Sequence, residues 1–134
     1  MPKPLAETCL YTILRRDRLA NAAKSGEPFP FDVGQRMVTA RDLFNAAKNA
    51  EEAADFAVLF GDATHCRKLI YWARLKAIKV RGSKTRITVV AVHRLARARK
   101  TQELVLRSTG ERIADGYIRP YAICRTPKFL AGKA

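Results

Sequence analysis

Apolar and polar positions follow different rhythms in the two halves of the chain. From Thr39 to Ala54, the residues Leu43, Phe44, Ala47, Ala50 and Ala54 recur at helical spacing, which predicts an amphipathic helix packed on a sheet. Thr39 or a neighbour caps it, and Asp42 lies in the first turn, where the helix dipole favours a carboxylate. From Asp55 onward the texture becomes short apolar runs broken by Gly, Thr and Ser. Phe56–Phe60 (FAVLF), closed by Gly61-Asp62, reads as a buried strand. In Leu69–Val80 (LIYWARLKAIKV), Arg74 and Lys76 alternate with Ala73, Leu75 and Ala77, the period of two of a long strand. The phase slips near Ala77-Ile78, and a β-bulge absorbs such a slip. A helix from Thr64 to Val80 is the competing reading.

Arg81-Gly82-Ser83-Lys84 predicts a turn, so that Thr85–Leu95 (TRITVVAVHRL), rich in β-branched residues, pairs back as a hairpin. Leu104–Leu106 is a third element with a turn at Ser108–Gly110, and Tyr117–Cys124 a last strand or extended segment in which Pro120 marks an edge or bulge. The N-terminal part is less decided. Thr8–Leu14 (TCLYTIL) is a strand or the start of a helix through Ala23, with Asp17 as a cap and Gly26 as the stop. Ser25–Val38 (SGEPFPFDVGQRMV) reads as a loop in which Pro28 and Pro30, holding the chain extended, alternate with the anchors Phe29 and Phe31.

Helices first and short strands afterwards make an α+β fold. The expected architecture is a set of N-terminal helices packed on a small antiparallel β-barrel or strongly curled sheet. At 134 residues the chain is read as a single domain, 1–134, with a mainly helical part at 1–55 and a β-rich part at 56–134.

Charge changes this picture most. The whole chain carries 26 Lys and Arg against 12 Asp and Glu, a net charge of +14. Residues 1–63 hold eight basic and nine acidic side chains, whereas residues 64–134 hold eighteen and three. Arg67–Lys100 alone has twelve cations, inside an acid-free interval from Ala63 to Gln102. Apolar residues are interleaved throughout, so the block is a folded cationic surface rather than a basic tail. Such asymmetry points to nucleic acid or another polyanion as partner; the plain alternative is solubilising charge.

The candidate contacts follow from the strands. Trp72 shares strand parity with Arg74 and Lys76, so it is the expected exposed ring beside Arg67 and Lys68, while Tyr71 faces the other way. A flat ring among cations suits base stacking and phosphate contact; the alternative is that the single tryptophan belongs to the core. Arg81, Lys84 and Arg86 gather at the hairpin tip, and Arg94 and Arg97, with Arg99 and Lys100, at the far end of the next strand. Cations at opposite ends of paired strands make a strip, which suits a polymer better than a small phosphate. Arg119 and Tyr121, two apart on the last strand, extend it.

Other chemistry finds little footing. His65-Cys66 is adjacent rather than spaced, and no paired short spacing of a structural zinc site occurs. The chain contains no G-x-x-x-x-G-K-[ST], GxGxxG, HExxH or GxSxG motif. A His93–Cys66 or His65–Cys66 nucleophile pair competes with ordinary buried packing of the thiol. No cofactor is expected. Cys9, Cys66 and Cys124, an odd number without CxxC spacing, fit reduced thiols, and the N-terminus lacks a secretory h-region, so a cytoplasmic protein without membrane spans is expected.

IYWARLKAIKV and TRITVVAVHRL, followed by ELVLRSTG and YIRPYAICRTPKFL, resemble the strands of the PUA-like superfamily, which includes EVE, ASCH and YTH-type domains. The likeness covers about Phe56 to Leu130. It implies a small β-barrel that binds RNA or modified bases or, as in some ASCH-like members, hydrolyses a base modification. The expectation is therefore a nucleic-acid-binding protein, RNA favoured over DNA, gripping its ligand through the Arg67–Lys100 hairpin. A base-modification hydrolase in the same barrel, and a module whose basic face docks an acidic protein partner, are the alternatives.

Overall fold

The computed structural model describes residues 4–50, 53–63, 68–113 and 121–133, with side chains to residue 130. Six strands form one sheet in the order β2-β5-β4-β3-β1-β6. They are β1 (Thr8–Leu14), β2 (Phe29–Val33), β3 (Ala57–Asp62), β4 (Leu69–Arg81), β5 (Lys84–Arg99) and β6 (Tyr121–Arg125). Helices α1 (Arg16–Ser25) and α2 (Val38–Asn49) join the first three strands. The fold is α+β; of the expected antiparallel barrel or strongly curled sheet, a closed barrel does not form and the sheet is not purely antiparallel. The sheet is mixed, because β1 pairs with β3 in parallel, and it stays open between its edge strands β2 and β6. Two consecutive helical crossovers carry the chain from β1 to the far edge and back to β3, which is how adjacent strands come to run the same way.

The helices cover one face of the sheet. Leu19 and Ala22 of α1, with Ala40 and Phe44 of α2, pack against Leu10, Val58, Phe60, Ala73, Leu75, Phe31 and Ile87. Gly26, at φ +69°, ends α1 in the left-handed conformation that glycine adopts without strain. Helix α2 stops at Asn49, short of the expected Ala54, because Ala50 is already extended at φ −66° and ψ 155°. Its start is tied to the sheet by a fully buried threonine. Thr85 Oγ1 accepts from the Met37 N–H at 2.9 Å and donates to the Gln35 carbonyl at 2.7 Å.

The opposite face has a core of its own. Cys9, Tyr11, Leu59, Leu69, Trp72 and Leu95 lie under Leu104, Ile113 and Leu130, which come from irregular chain. Leu104–Leu106 makes only isolated bridges, Val105 to Arg112 and Leu106 to Cys124, rather than a strand. With cover on both sides, all six residues of β3 are buried, and continuous apolar runs such as AVLF are what such a strand requires.

Two further expectations change. The predicted loop Ser25–Val38 contains the edge strand β2, paired in unbroken register with β5 from Phe29↔Val89 to Val33↔Thr85. Pro30 is tolerated there because an edge strand has one side without ladder partners. The hairpin itself is as expected, with β4 and β5 antiparallel from Arg81↔Lys84 back to Leu69↔Arg99; of the competing helix over 64–80, residues 69–80 are strand and 64–67 lie outside the described residues. Gly82 at φ +57° supplies the first central residue of its two-residue turn, matching the right-handed twist of the strands. A register shift between Leu75 and Ala77 is the expected bulge. Another lies between Trp72 and Arg74, opposite Ala91, whose φ of +55° marks the inserted residue. Among the described residues no helix is long and apolar enough to cross a membrane.

Candidate nucleic-acid interface

Beyond the bulge at Lys76, the hairpin settles into strict alternation. Ile78, Ile87 and Val89 face the helical core, so Lys79, Arg81, Lys84 and Arg86 project from the other face of the sheet. All four are exposed. The register sets Lys79 directly across from Arg86, and Arg81 across from Lys84. Opposed side chains start about 5 Å apart and residues two apart along a strand about 6.6 Å apart. The result is a two-by-two grid of cations lining a cleft of 560 Å³, with Asp32 of β2 as its one carboxylate among the described residues. Asp32 is taken up by Arg86, accepting from Nε at 3.1 Å and Nη2 at 3.4 Å. Arg36 adds a fifth cation at the tip, where its Nη1 donates to the Gly82 carbonyl at 2.8 Å.

This arrangement costs stability. Like charges directly opposite one another across a strand pair repel, by tenths of a kcal/mol to about 1 kcal/mol each. Two such pairs adjoin here, and among the described residues Asp32 is the one acid that lines the cleft. A hairpin tip under stability pressure alone would mix signs; groups that violate local preference concentrate where function uses them.

The remaining expected contacts disperse. Trp72 is 3% exposed and packs in the second core, so it is not the expected exposed ring. Tyr71 does face the opposite way, into the helix-side core, and is buried as well. The segment of β4 that carries these rings is covered on both faces, by the helices and by chain after Lys100. Arg74 shares the Trp72 face as expected, with its guanidinium 5.5 Å from the indole centroid. It is not a surface cation, however, because its half-buried Nη1 donates to Asp55 at 2.7 Å. Lys76 is exposed but sits in the bulge, out of the alternation, beside Lys48 and Asp55 in a small separate cleft. The three residues therefore do not form one contact face.

Arg94 is exposed opposite Tyr71, which directs it to the helical side rather than to the cationic face. From Tyr71↔Arg94 to Leu69↔Arg99, β5 spends five residues against two of β4, so Arg97, though exposed, lies in an irregular stretch. Lys68 is exposed just before β4, at the end of the hairpin away from the tip. Tyr121 is half-buried in β6 opposite Thr12, and lines a cleft of 380 Å³ with Arg36, Arg107 and Ser108. Arg67 and Arg119 lie outside the described residues, as do His65 and Cys66. Of the sequence-derived set, Arg81, Lys84 and Arg86 come together. Lys79 was missed, although it precedes Arg81 by two residues and the bulge that aligns them was itself legible.

Among the described residues no three His, Cys, Asp or Glu are grouped as a metal would need. No family model matches the chain, and neither a curated protein nor a solved structure matches it.

Proposed function

We propose that this protein binds single-stranded nucleic acid, RNA in preference to DNA, by laying the phosphate backbone across the outer face of the β4–β5 hairpin. The observation that carries this reading is the two-by-two grid of Lys79, Arg81, Lys84 and Arg86, like charges held face to face with a single neighbouring carboxylate. A monoanion answers one or two of these cations, whereas a polyanion answers all four and relieves their mutual repulsion. Helices α1 and α2 lie on the other side of the sheet, so no recognition helix accompanies the grid into a major groove. With Trp72 buried, the grip at the tip is electrostatic and tolerant of sequence. The preference for RNA rests on the resemblance of the Phe56–Leu130 segments to PUA-like domains.

The test is binding of mixed-sequence oligonucleotides, single- and double-stranded, RNA and DNA, over a series of salt concentrations. Log K should fall linearly with log salt, each phosphate neutralised on a single strand contributing about −0.7 to the slope. A slope near zero, or no binding at low salt, ends the nucleic-acid reading and leaves an acidic protein as the next partner to try.

A further inference from the structure

A second cationic cleft lies at the far end of β5 from the tip, on the chain that roofs the outer face of the hairpin. Twelve residues of β4 separate Arg81 from Leu69, the partner of Arg99, or roughly 40 Å of strand. There Arg99, Glu103, Val105, Arg112, Arg125, Pro127, Lys128 and Phe129 line a cleft of 670 Å³, within the range of pockets that enclose small ligands. Four cations meet one carboxylate, and that carboxylate is engaged. Glu103 accepts from Arg99 Nη1 at 3.3 Å and from the Lys100 N–H at 3.0 Å. Arg112, Arg125 and Lys128 have no ion-pair partner among the described residues.

Arg99 is held differently from the other three. Its guanidinium carbon lies 4.8 Å from the centroid of the half-buried Phe129 ring, and Glu103 fixes it from the side. A guanidinium held between a ring and a carboxylate loses little further freedom when it contacts a second flat group, and guanidinium planes stack on bases. The cleft thus sets a fixed planar cation and apolar walls, Val105 and Pro127, beside three uncommitted positive charges. A flat heterocycle attached to a group carrying more than one negative charge fits both halves; a backbone phosphodiester, with a single charge, uses only one of the three.

We infer that this cleft holds the terminal nucleotide of the bound strand, its phosphate monoester on Arg112, Arg125 and Lys128 and its base against the Arg99 guanidinium. The inference rests on the hairpin reading for the remainder of the strand, and adds recognition of an end to it. Where the strip gives affinity that is indifferent to sequence and position, the cleft gives register.

The experiment compares one single-stranded sequence bearing a 5′-phosphate, a 3′-phosphate or neither, together with free adenosine monophosphate and inorganic phosphate, on the full chain. One phosphorylated end should bind about tenfold more tightly than the unmodified strand, the worth of one good charge-assisted hydrogen bond. Which end does so identifies the polarity. The variant Arg125→Gln/Lys128→Gln, both positions exposed, should abolish that difference while leaving the salt slope of the unmodified strand within one phosphate of its original value. Phe129→Leu should weaken adenosine monophosphate more than inorganic phosphate, because it frees Arg99 without removing charge. Equal binding of all three strands, or an Arg125→Gln/Lys128→Gln variant that weakens them all equally, overturns the inference and leaves the strip standing. If no strand binds with a salt slope, the strip fails instead, and adenosine monophosphate binding lost in Arg125→Gln/Lys128→Gln upholds the cleft on its own.

Discussion

Removing the four grid charges separates a binding surface from surface decoration. The perturbation is Lys79→Gln, Arg81→Gln, Lys84→Gln and Arg86→Gln in one chain, which keeps a polar, unbranched side chain at each position and removes four positive charges from one exposed face. Four lost contacts flatten the slope of log K against log salt by about 2.8 for a single strand. Arg86 divides its charge between the ligand and Asp32, so the lower bound is three contacts, or about 2.1. Between about 50 and about 200 mM salt, wild type should therefore lose roughly 20 to 50 times more affinity than the variant. Folding should not suffer, since two directly opposed like-charge pairs disappear; a urea midpoint equal to or above wild type is expected. A control, Lys24→Gln/Lys48→Gln, removes two cations from the last turns of α1 and α2, on the helical layer, and should change the slope by less than one phosphate. Fluorescence anisotropy with a labelled oligonucleotide reads all three proteins. An unchanged slope in the grid variant, or an equal loss per charge removed in the control, refutes the reasoning, because the ligand would then not be answering this face.

Three further outcomes are expected. Trp72→Phe should leave oligonucleotide affinity within about twofold, whereas Trp72→Ala should cost about 3–5 kcal/mol in chemical denaturation, because the indole is a core side chain beneath Leu104 and Leu130. Gly61→Ala should cost about 1–3 kcal/mol, since its new Cβ would stand 2.8 Å from the hydroxyl of Tyr11, a ring buried too deeply to move aside. Cys9 and Cys124 face each other across β1 and β6. Burial pushes the Cys124 thiol up to about 12, and burial with the neighbouring thiol pushes Cys9 higher, against a smaller opposing hydrogen bond from Thr126. The folded protein then keeps protons that the unfolded chain releases above about pH 9, so this contribution is complete below that value and is lost as pH rises toward 12. Each thiol adds about 1.4 kcal/mol per pH unit to the alkaline loss; Cys124→Ala should remove one such share in urea titrations at pH 7 to 10.5, and an unchanged alkaline slope contradicts the assignment.

Much of the site was visible in the residues because hairpins are local. The Arg81–Lys84 turn, the alternation on either side and the phase slip near Ala77 fixed which strands pair and which cations meet at the tip. What escaped was the fate of residues decided by distant chain. Arg74 has the spacing of a surface cation, but Asp55 arrives from before β3 to claim it. Trp72 has the parity of Arg74, and its face is indeed shared, yet that face is roofed by residues 104–113 and 126–130, whose irregular backbone carries no period to read. Phe29, Phe31 and Val33 alternate cleanly with Pro30 and Asp32, so β2 did leave a signal; the two prolines outweighed it, because proline argues against a strand except at the edge where this one lies.

By itself, the amino-acid sequence determined the α+β class, the amphipathic α2 segment, the long hairpin and the concentration of positive charge on its second half. These depend on residues near one another in the chain, where periodicity, turn chemistry and charge counts act directly. Tertiary structure alone decided that the sheet is open and mixed, that β4 is covered on both faces around its aromatic pair, and that Arg99, Arg112, Arg125 and Lys128 converge on one cleft. Those outcomes turn on which distant segments close over a strand. Side-chain alternation says that a strand has two faces, and only the packed chain says which of them meets water.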